Sequence, residues 1–279
     1  MHVRSRADLL ADGYTDRSIR RFLEARRLRK LGKWWYGTSA TPAHVAAALQ
    51  RDHRLTCVSA LALHGVFTIE THAVHEVGVQ CRCTSGDGMV HHRPLRRWPD
   101  VEPVLPVGHS LAHACRCLSA EGAAMSLESA LNKRLVGEQE VAMILEELPQ
   151  RKRLAIGTPD ARAMSGPETR VRRFLQRRGV QVTPQFPLPG GGFADLLVGE
   201  CLLIECDSRS HHTDPRAFSA DRARDRRNVL LGYTVVRFTY HDVMDNWATT
   251  RAQLLALIRR GAHRLPRSRR GGPTPGAAS

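Results

Sequence analysis

The chain has 279 residues, with 42 Lys+Arg against 27 Asp+Glu, a formal net charge of +15 and a pI near 10.5. Hydrophobic residues make up 42% and charged residues 25%, so real cores are available and wholesale disorder is excluded. No apolar run approaches the roughly 18–20 residues that span a bilayer, and Met1 to Arg6 lacks the apolar stretch of a secretory signal. A cytoplasmic protein with no membrane partner is expected, with two domains or three small ones.

The location of the charge is more informative than its total. Residues 1–56 carry 12 basic and 5 acidic residues, residues 57–159 carry 10 and 11, and residues 160–279 carry 20 and 11. Two basic ends flank a neutral middle, as expected of two surfaces that meet a polyanion. Only Lys30, Lys33, Lys133 and Lys152 are lysines. Codon bias explains arginine over lysine, but not basic over acidic. Seven cysteines, an odd number, argue against a disulfide framework. The pairs Cys81/Cys83 and Cys115/Cys117 are spaced more tightly than zinc knuckles and read as small apolar residues on one strand face.

In chain order, residues 6–11 predict a short helix that Gly13 breaks. Thr15 then caps a second helix whose buried stripe is Ile19, Phe22 and Leu23. Arg17, Arg20, Arg21, Arg26 and Arg27 supply its exposed surface. Leu31 to Gly37 reads as a basic-aromatic ribbon with Lys33, Trp34, Trp35 and Tyr36. Two short helices followed by a hairpin form the pattern of a winged helix-turn-helix over residues 1–65, whose basic helix can enter the major groove. Arg17, Arg20, Arg21 and Lys33 are its candidate DNA contacts.

Helices are predicted at 43–51 and 56–64, a strand pattern over 66–83, and helices at 110–117 and 121–148, which gives a mixed middle region over 66–150. His72, His75, His91 and His92 have no ligand partner at helical spacing and read as solvated strand histidines. Proline and glycine between 149 and 165 predict a domain boundary. A second domain is expected over 160–262, and the Gly-, Pro-, Ser- and Arg-rich residues of 263–279 read as a disordered tail.

Within that second domain the pattern runs helix (167–178), strand (181–186), strand (193–198), strand (202–207), helix (216–231), strand (233–238) and helix (241–260), a small α/β sandwich. The hairpin at 193–207 can be tested by register. Pairing Val198 with Leu202 places Ala194, Leu196, Val198, Leu202, Ile204 and Cys206 on one apolar face. Asp195, Glu205 and Asp207 then converge on the other, whereas a one-residue slip would bury carboxylates in the core. Converging acids call for a divalent cation, for which hard carboxylate oxygens suit Mg2+ or Mn2+. Pairing with Arg209, Arg222 or Arg237 is the structural alternative. Glu168 reads either as a further acid of this site or as the third helical residue of a capping box on Ser165.

Asp195-Leu196-Leu197-Val198, Leu202-Leu203-Ile204-Glu205-Cys206-Asp207, His211-His212, Asp221-Arg222, Arg224-Asp225-Arg226 and Gly232 to Phe238 form an ordered set. Over about residues 165–260 this set resembles an uncharacterised bacterial family related to very-short-patch mismatch-repair endonucleases, within the restriction-endonuclease-like PD-(D/E)xK superfold. The resemblance implies an αβββαβ core, with Asp195 and Glu205 as metal ligands and Glu168 as an accessory acid. Asp207 stands where the motif has lysine, and no lysine follows Lys152. His211 or His212 is then the candidate base, and Gln185 a candidate holder of water or metal. Arg222 and Arg226 are candidate phosphate contacts.

Leu9 to Gly13, Ile19-Arg20, Leu28-Arg29, Gly32, Trp35 to Gly37 and Thr56 to Gly65 are similar to the winged-helix region of abortive-infection antitoxins of the type IV toxin–antitoxin class. That resemblance implies promoter binding, with a toxin or a second copy of the chain as protein partner. The expectation is thus a multidomain α+β and α/β protein that binds duplex DNA through a winged helix. Its restriction-endonuclease-like domain would hydrolyse phosphodiesters with Mg2+ or Mn2+; the alternative is a non-catalytic, antitoxin-like regulator. No Walker-type loop, dinucleotide fingerprint or nucleophile elbow is present to support nucleotide hydrolysis, redox or esterase chemistry.

Overall fold

Two side-chain caps fix the beginning of the fold. Ser5 opens α1 (Arg6–Ala11) and Thr15 opens α2 (Asp16–Glu24); each hydroxyl accepts the amide three residues on, and Asp8 or Ser18 returns to the cap amide. The computed structural model describes residues 3–69, 72–78, 88–95, 102–189, 191–207 and 226–265, with a mixed α+β architecture. The chain forms two compact units, Met1–Gly157 and Thr158–Ser279. No helix among the described residues is long and apolar enough to cross a membrane.

In the first unit, β1 (Val3–Ser5), β2 (Arg29–Leu31) and β3 (Trp35–Gly37) form an antiparallel sheet in the order β1–β3–β2. Val3, Leu31 and Trp35 bury against Val45 and Leu49 of α3 (Ala43–Gln50). Gly32, at φ +65°, makes the turn possible, because a Cβ there would lie 2.2 Å from the Leu49 carbonyl oxygen. Next, β4 (His53–Leu55) pairs antiparallel with β5 (Val74–Gly78), which pairs parallel with β6 (Met89–His92). This sheet joins residues 1–65 to the middle region through direct strand pairing. The strand expected over 66–83 is confined, among the described residues, to Val74–Gly78, and Cys81 and Cys83 lie outside them.

Helices α4 (Cys57–Leu63), α5 (Val107–Cys117), α6 (Ala120–Asn132), α7 (Glu138–Glu146) and α8 (Gln150–Ile156) complete the unit. The single helix expected at 121–148 is two, divided where Arg134 takes φ +55°. Pro149 does not interrupt the chain but stands at the N-cap of α8, where its missing amide costs nothing.

The second unit begins with α9 (Gly166–Gln176), capped by Ser165. Strands β7 (Val182–Pro187), β8 (Phe193–Val198), β9 (Leu202–Asp207) and β10 (Thr234–Thr239) form one sheet in the order β10–β9–β8–β7, with only β9–β10 parallel. A helical segment at 226–230 precedes β10, and the rest of the helix expected at 216–231 lies outside the described residues. The final helix is two, α10 (Tyr240–Met244) and α11 (Trp247–Arg259). The chain end is ordered further than expected: Glu200 donates its amide to the His263 carbonyl and accepts the Leu265 amide with its carboxylate, so 263–265 stay on the sheet. Residues 266–279 lie outside the described residues.

Pairing of β8 with β9 runs Val198–Leu202, Leu197–Leu203 and Leu196–Ile204, the register selected by the apolar pattern. Leu196, Val198, Leu202, Ile204 and Cys206 bury with Val171 and Leu175 of α9 and Leu254 of α11. Ala194 departs from the expected face and packs with Leu188, Leu203 and Tyr233. The cause lies in the neighbouring strand. Pro184 pairs with Leu196 and Phe186 with Ala194, so Gln185 falls opposite Asp195, and its φ of +49° reverses the facing from there on. Because Leu196 is fully buried in this cluster, Leu196→Ala should destabilise the second unit by about 2–5 kcal/mol in denaturant unfolding.

Candidate functional site

Glu168 sits in the first turn of α9, where Ser165 caps the helix. Its carboxylate, only 3% exposed, accepts from the Met164 amide at 3.1 Å, the Ser165 hydroxyl at 2.8 Å and Gln185 Nε2 at 3.0 Å. The Ser165 hydroxyl accepts the Glu168 amide at 3.3 Å, but the carboxylate takes the Met164 amide rather than that of Ser165, so the expected capping box is left open and Glu168 turns toward Gln185. Burial, and then the neighbouring Asp195 charge, push its carboxyl up to about 7. Asp195, half-buried on β8, accepts the Cys206 amide on its Oδ2 at 2.7 Å, so β8 and β9 are tied through a side chain beyond their last paired residues. Glu205, 8% exposed, stands beside Arg237 in the parallel β9–β10 register.

Glu168, Gln185, Asp195 and Glu205 thus come from α9, β7, β8 and β9 to one end of the sheet. Glu168, Asp195 and Glu205 do not bring their ligand atoms within 4.8 Å of one another as a set. The side chain of Asp207, and all of His211, His212, Arg209 and Arg222, lie outside the described residues. Arg226 is exposed on the segment at 226–230. In the first unit Arg17, Arg20 and Arg21 are exposed on α2, opposite the buried Ile19. Lys33 lies in the β2–β3 turn, 4.7 Å over the ring of Trp34, itself 58% exposed.

Three of the four histidines expected to be solvated, His75, His91 and His92, are instead buried or half-buried. They form two groups on opposite faces of the β4–β5–β6 sheet. On one face Glu76, fully buried, takes Arg51 at 2.6 Å and His53 Nδ1 at 2.7 Å, with His91 Nδ1 at 3.2 Å. Burial pushes Glu76 up, but the hydrogen bonds from Arg51 and His53 outweigh it and hold the carboxyl below its ordinary value. On the other face Cys57, His75, His92 and Cys117 bring four ligand atoms within 4.8 Å of one another. Hydrogen bonds from Cys57, His75 and His92 hold the Cys117 thiol far down, while the same contact with Cys117, and then burial, raise Cys57.

Both groups are assemblies of His, Cys and Glu able to hold a metal ion, buried or half-buried except for the exposed Cys117. Sequence spacing misses them because their members are scattered along the chain and meet only through sheet pairing and helix packing. The signal available was the odd cysteine Cys57 beside strands rich in histidine. His72, in the turn before β5, is exposed and joins neither group.

A scan against protein-family models finds no match, and neither does a comparison with curated proteins.

The raised Glu168 gives a signed pH dependence. Its folded value, about 7, lies above its ordinary 4.5, so the stability it contributes is fully present below about 4.5 and lost as pH rises through about 7. In metal-free buffer, chemical unfolding of the second unit should lose up to about 3 kcal/mol between pH 4.5 and 8. Glu168→Gln should flatten that decline; an unchanged pH profile in the variant would show that Glu168 titrates normally.

Proposed function

We propose that the chain is a DNA-binding protein whose second unit is a metal-dependent endodeoxyribonuclease of the restriction-endonuclease-like class, docked on duplex DNA by a winged helix formed from α1, α2 and the β2–β3 ribbon. The observation that carries the reading is the buried Glu168, raised toward neutrality beside Asp195. The Asp195 charge that raises Glu168 is one a divalent cation would offset, and the donor set is one of hard oxygens. Asp195 and Glu205 would hold Mg2+ or Mn2+, with Asp207 in the place of the motif lysine. When bound, the ion supplies an activated water and charge stabilisation at a scissile phosphate.

The chain's own groups have distinct parts in this reading. The Cys206 amide fixes the Asp195 carboxylate, and Gln185 fixes that of Glu168. A carboxyl that titrates near neutrality can hold or release a proton at working pH, which suits Glu168 to general acid–base work. His211 is the further candidate base. In this reading the arginines of α2 and Lys33 on the ribbon face phosphates, and the exposed Arg226 extends the basic surface of the second unit.

A second reading, a non-catalytic antitoxin-like regulator, is favoured by Arg237 standing beside Glu205 in register and by the absence of lysine after Lys152. The two readings separate in one experiment. Wild-type protein and Glu205→Ala are incubated with supercoiled, mismatched and single-stranded DNA in Mg2+ or Mn2+. The nuclease reading expects cleavage by the wild type and its loss in the variant, whereas equal behaviour leaves the regulator. Both readings expect salt-sensitive duplex binding. Replacing Arg17, Arg20 and Arg21 with alanine should weaken it and reduce the slope of log K against log salt, as read by gel shift. The expected reduction is about one for each arginine–phosphate pair removed.

A further inference from the structure

We propose that Cys57, His75, His92 and Cys117 form a structural zinc site that ties α4, the β5–β6 pair and α5 together. The ligand separations suit the edges of a zinc tetrahedron. His75 Nδ1 lies 3.1 Å from His92 Nε2 and 3.9 Å from Cys117 Sγ, with all four ligand atoms within 4.8 Å. Zinc bonds of about 2.05 Å to nitrogen and 2.3 Å to sulfur give tetrahedral edges of roughly 3.3 Å between nitrogens and 3.6 Å between nitrogen and sulfur.

The backbone delivers each ligand by a separate device. In the parallel β5–β6 pair His75 stands beside Val90 and Val77 beside His92, which puts the two histidines diagonally on one sheet face. Cys117 ends α5, and Cys57 begins α4. The Thr56 amide donates to the His75 carbonyl at 3.0 Å, which holds the start of α4 against β5. Cys57 itself takes φ +50°, a left-handed backbone that a non-glycine residue adopts at a cost and that needs a compensating interaction.

The donor set selects the metal. Two sulfurs and two imidazole nitrogens suit zinc and do not suit magnesium or calcium, and two thiolates balance the charge of the ion. Four protein ligands leave no open position, which marks a structural site rather than a catalytic one. His113, packed 4.9 Å from the His92 ring, is excluded as a ligand because both its nitrogens are engaged. Its Nε2 donates to the Arg93 carbonyl at 3.0 Å, so Nδ1 accepts from the Thr56 hydroxyl at 2.6 Å. The Glu76 group on the opposite face is a weaker candidate, because Arg51 already neutralises its carboxylate.

The site does not depend on the nuclease reading. The test is the metal content of full-length protein purified without added metal or chelator, and again after reconstitution with zinc. One zinc per chain is expected, reduced to background in Cys117→Ser and in His92→Ala and kept in Cys201→Ser, which lies in the other unit. Removing zinc with a strong chelator should lower the wild-type melting temperature of the first unit by about 10 °C and leave Cys117→Ser unmoved. Because a variant can fail to fold, cobalt substitution of the wild type provides a second readout, with tetrahedral d–d bands and thiolate charge transfer expected. The proposal is overturned by the absence of bound zinc after reconstitution, by octahedral cobalt spectra, by zinc retained in both ligand variants, or by a Cys57–Cys117 disulfide in the native protein.

Discussion

Carboxylates taken out of water are tolerated only where hydrogen bonds, protons or cations offset their charge, and this constraint shapes the second unit. Glu168 meets it with three donors and a proton held toward neutral pH. Asp195 meets it in part by accepting the Cys206 amide, and Glu205 stands beside Arg237. The apolar cluster behind them, with Leu196, Val198, Leu202 and Ile204 fully buried, fixes the register that brings the acids together. Each such side chain stabilises the fold by about 1.5–3 kcal/mol. Packing thus fixes where the acids sit, with Asp195 near enough to Glu168 to raise its carboxyl.

The first unit answers the same constraint in two ways on the two faces of one small sheet. Glu76 is matched by an arginine and a histidine and needs nothing further. The Cys57, His75, His92 and Cys117 group has two sulfurs and two imidazoles facing one another with no carboxylate among them, a donor set that a metal completes. The exposed arginines of α2 and the Lys33–Trp34 ribbon lie in this same unit. A metal that stiffens α4 and α5 therefore acts on the stability of the unit that the proposed DNA-docking surface belongs to.

Much of the local structure was legible in the sequence, for identifiable reasons. Thr15 and Ser165 announce their helices because a hydroxyl at the cap satisfies an orphan amide. The β8–β9 register is legible because one slip would turn every apolar residue outward. What escaped were features decided at a distance. The reversed facing of Ala194 follows from a left-handed Gln185 on a different strand, and the division between α6 and α7 from Arg134. The boundary proline Pro149 stands at the start of a helix, α8, rather than ending one. His75 and His92 looked solvated because their partners, Cys57 and Cys117, lie on helices that only the tertiary fold brings to the sheet.

The central claim is that Asp195 and Glu205 bind a hard divalent cation beside Glu168. Calorimetric titration of Mn2+ into full-length protein at pH 8, compared with Asp195→Asn and Glu205→Gln, tests it most directly. The account predicts saturable binding in the wild type that weakens as pH falls through about 7, where Glu168 takes up its proton, and that disappears in both variants. Equal titrations for all three proteins, or no saturable binding at any pH, would contradict it.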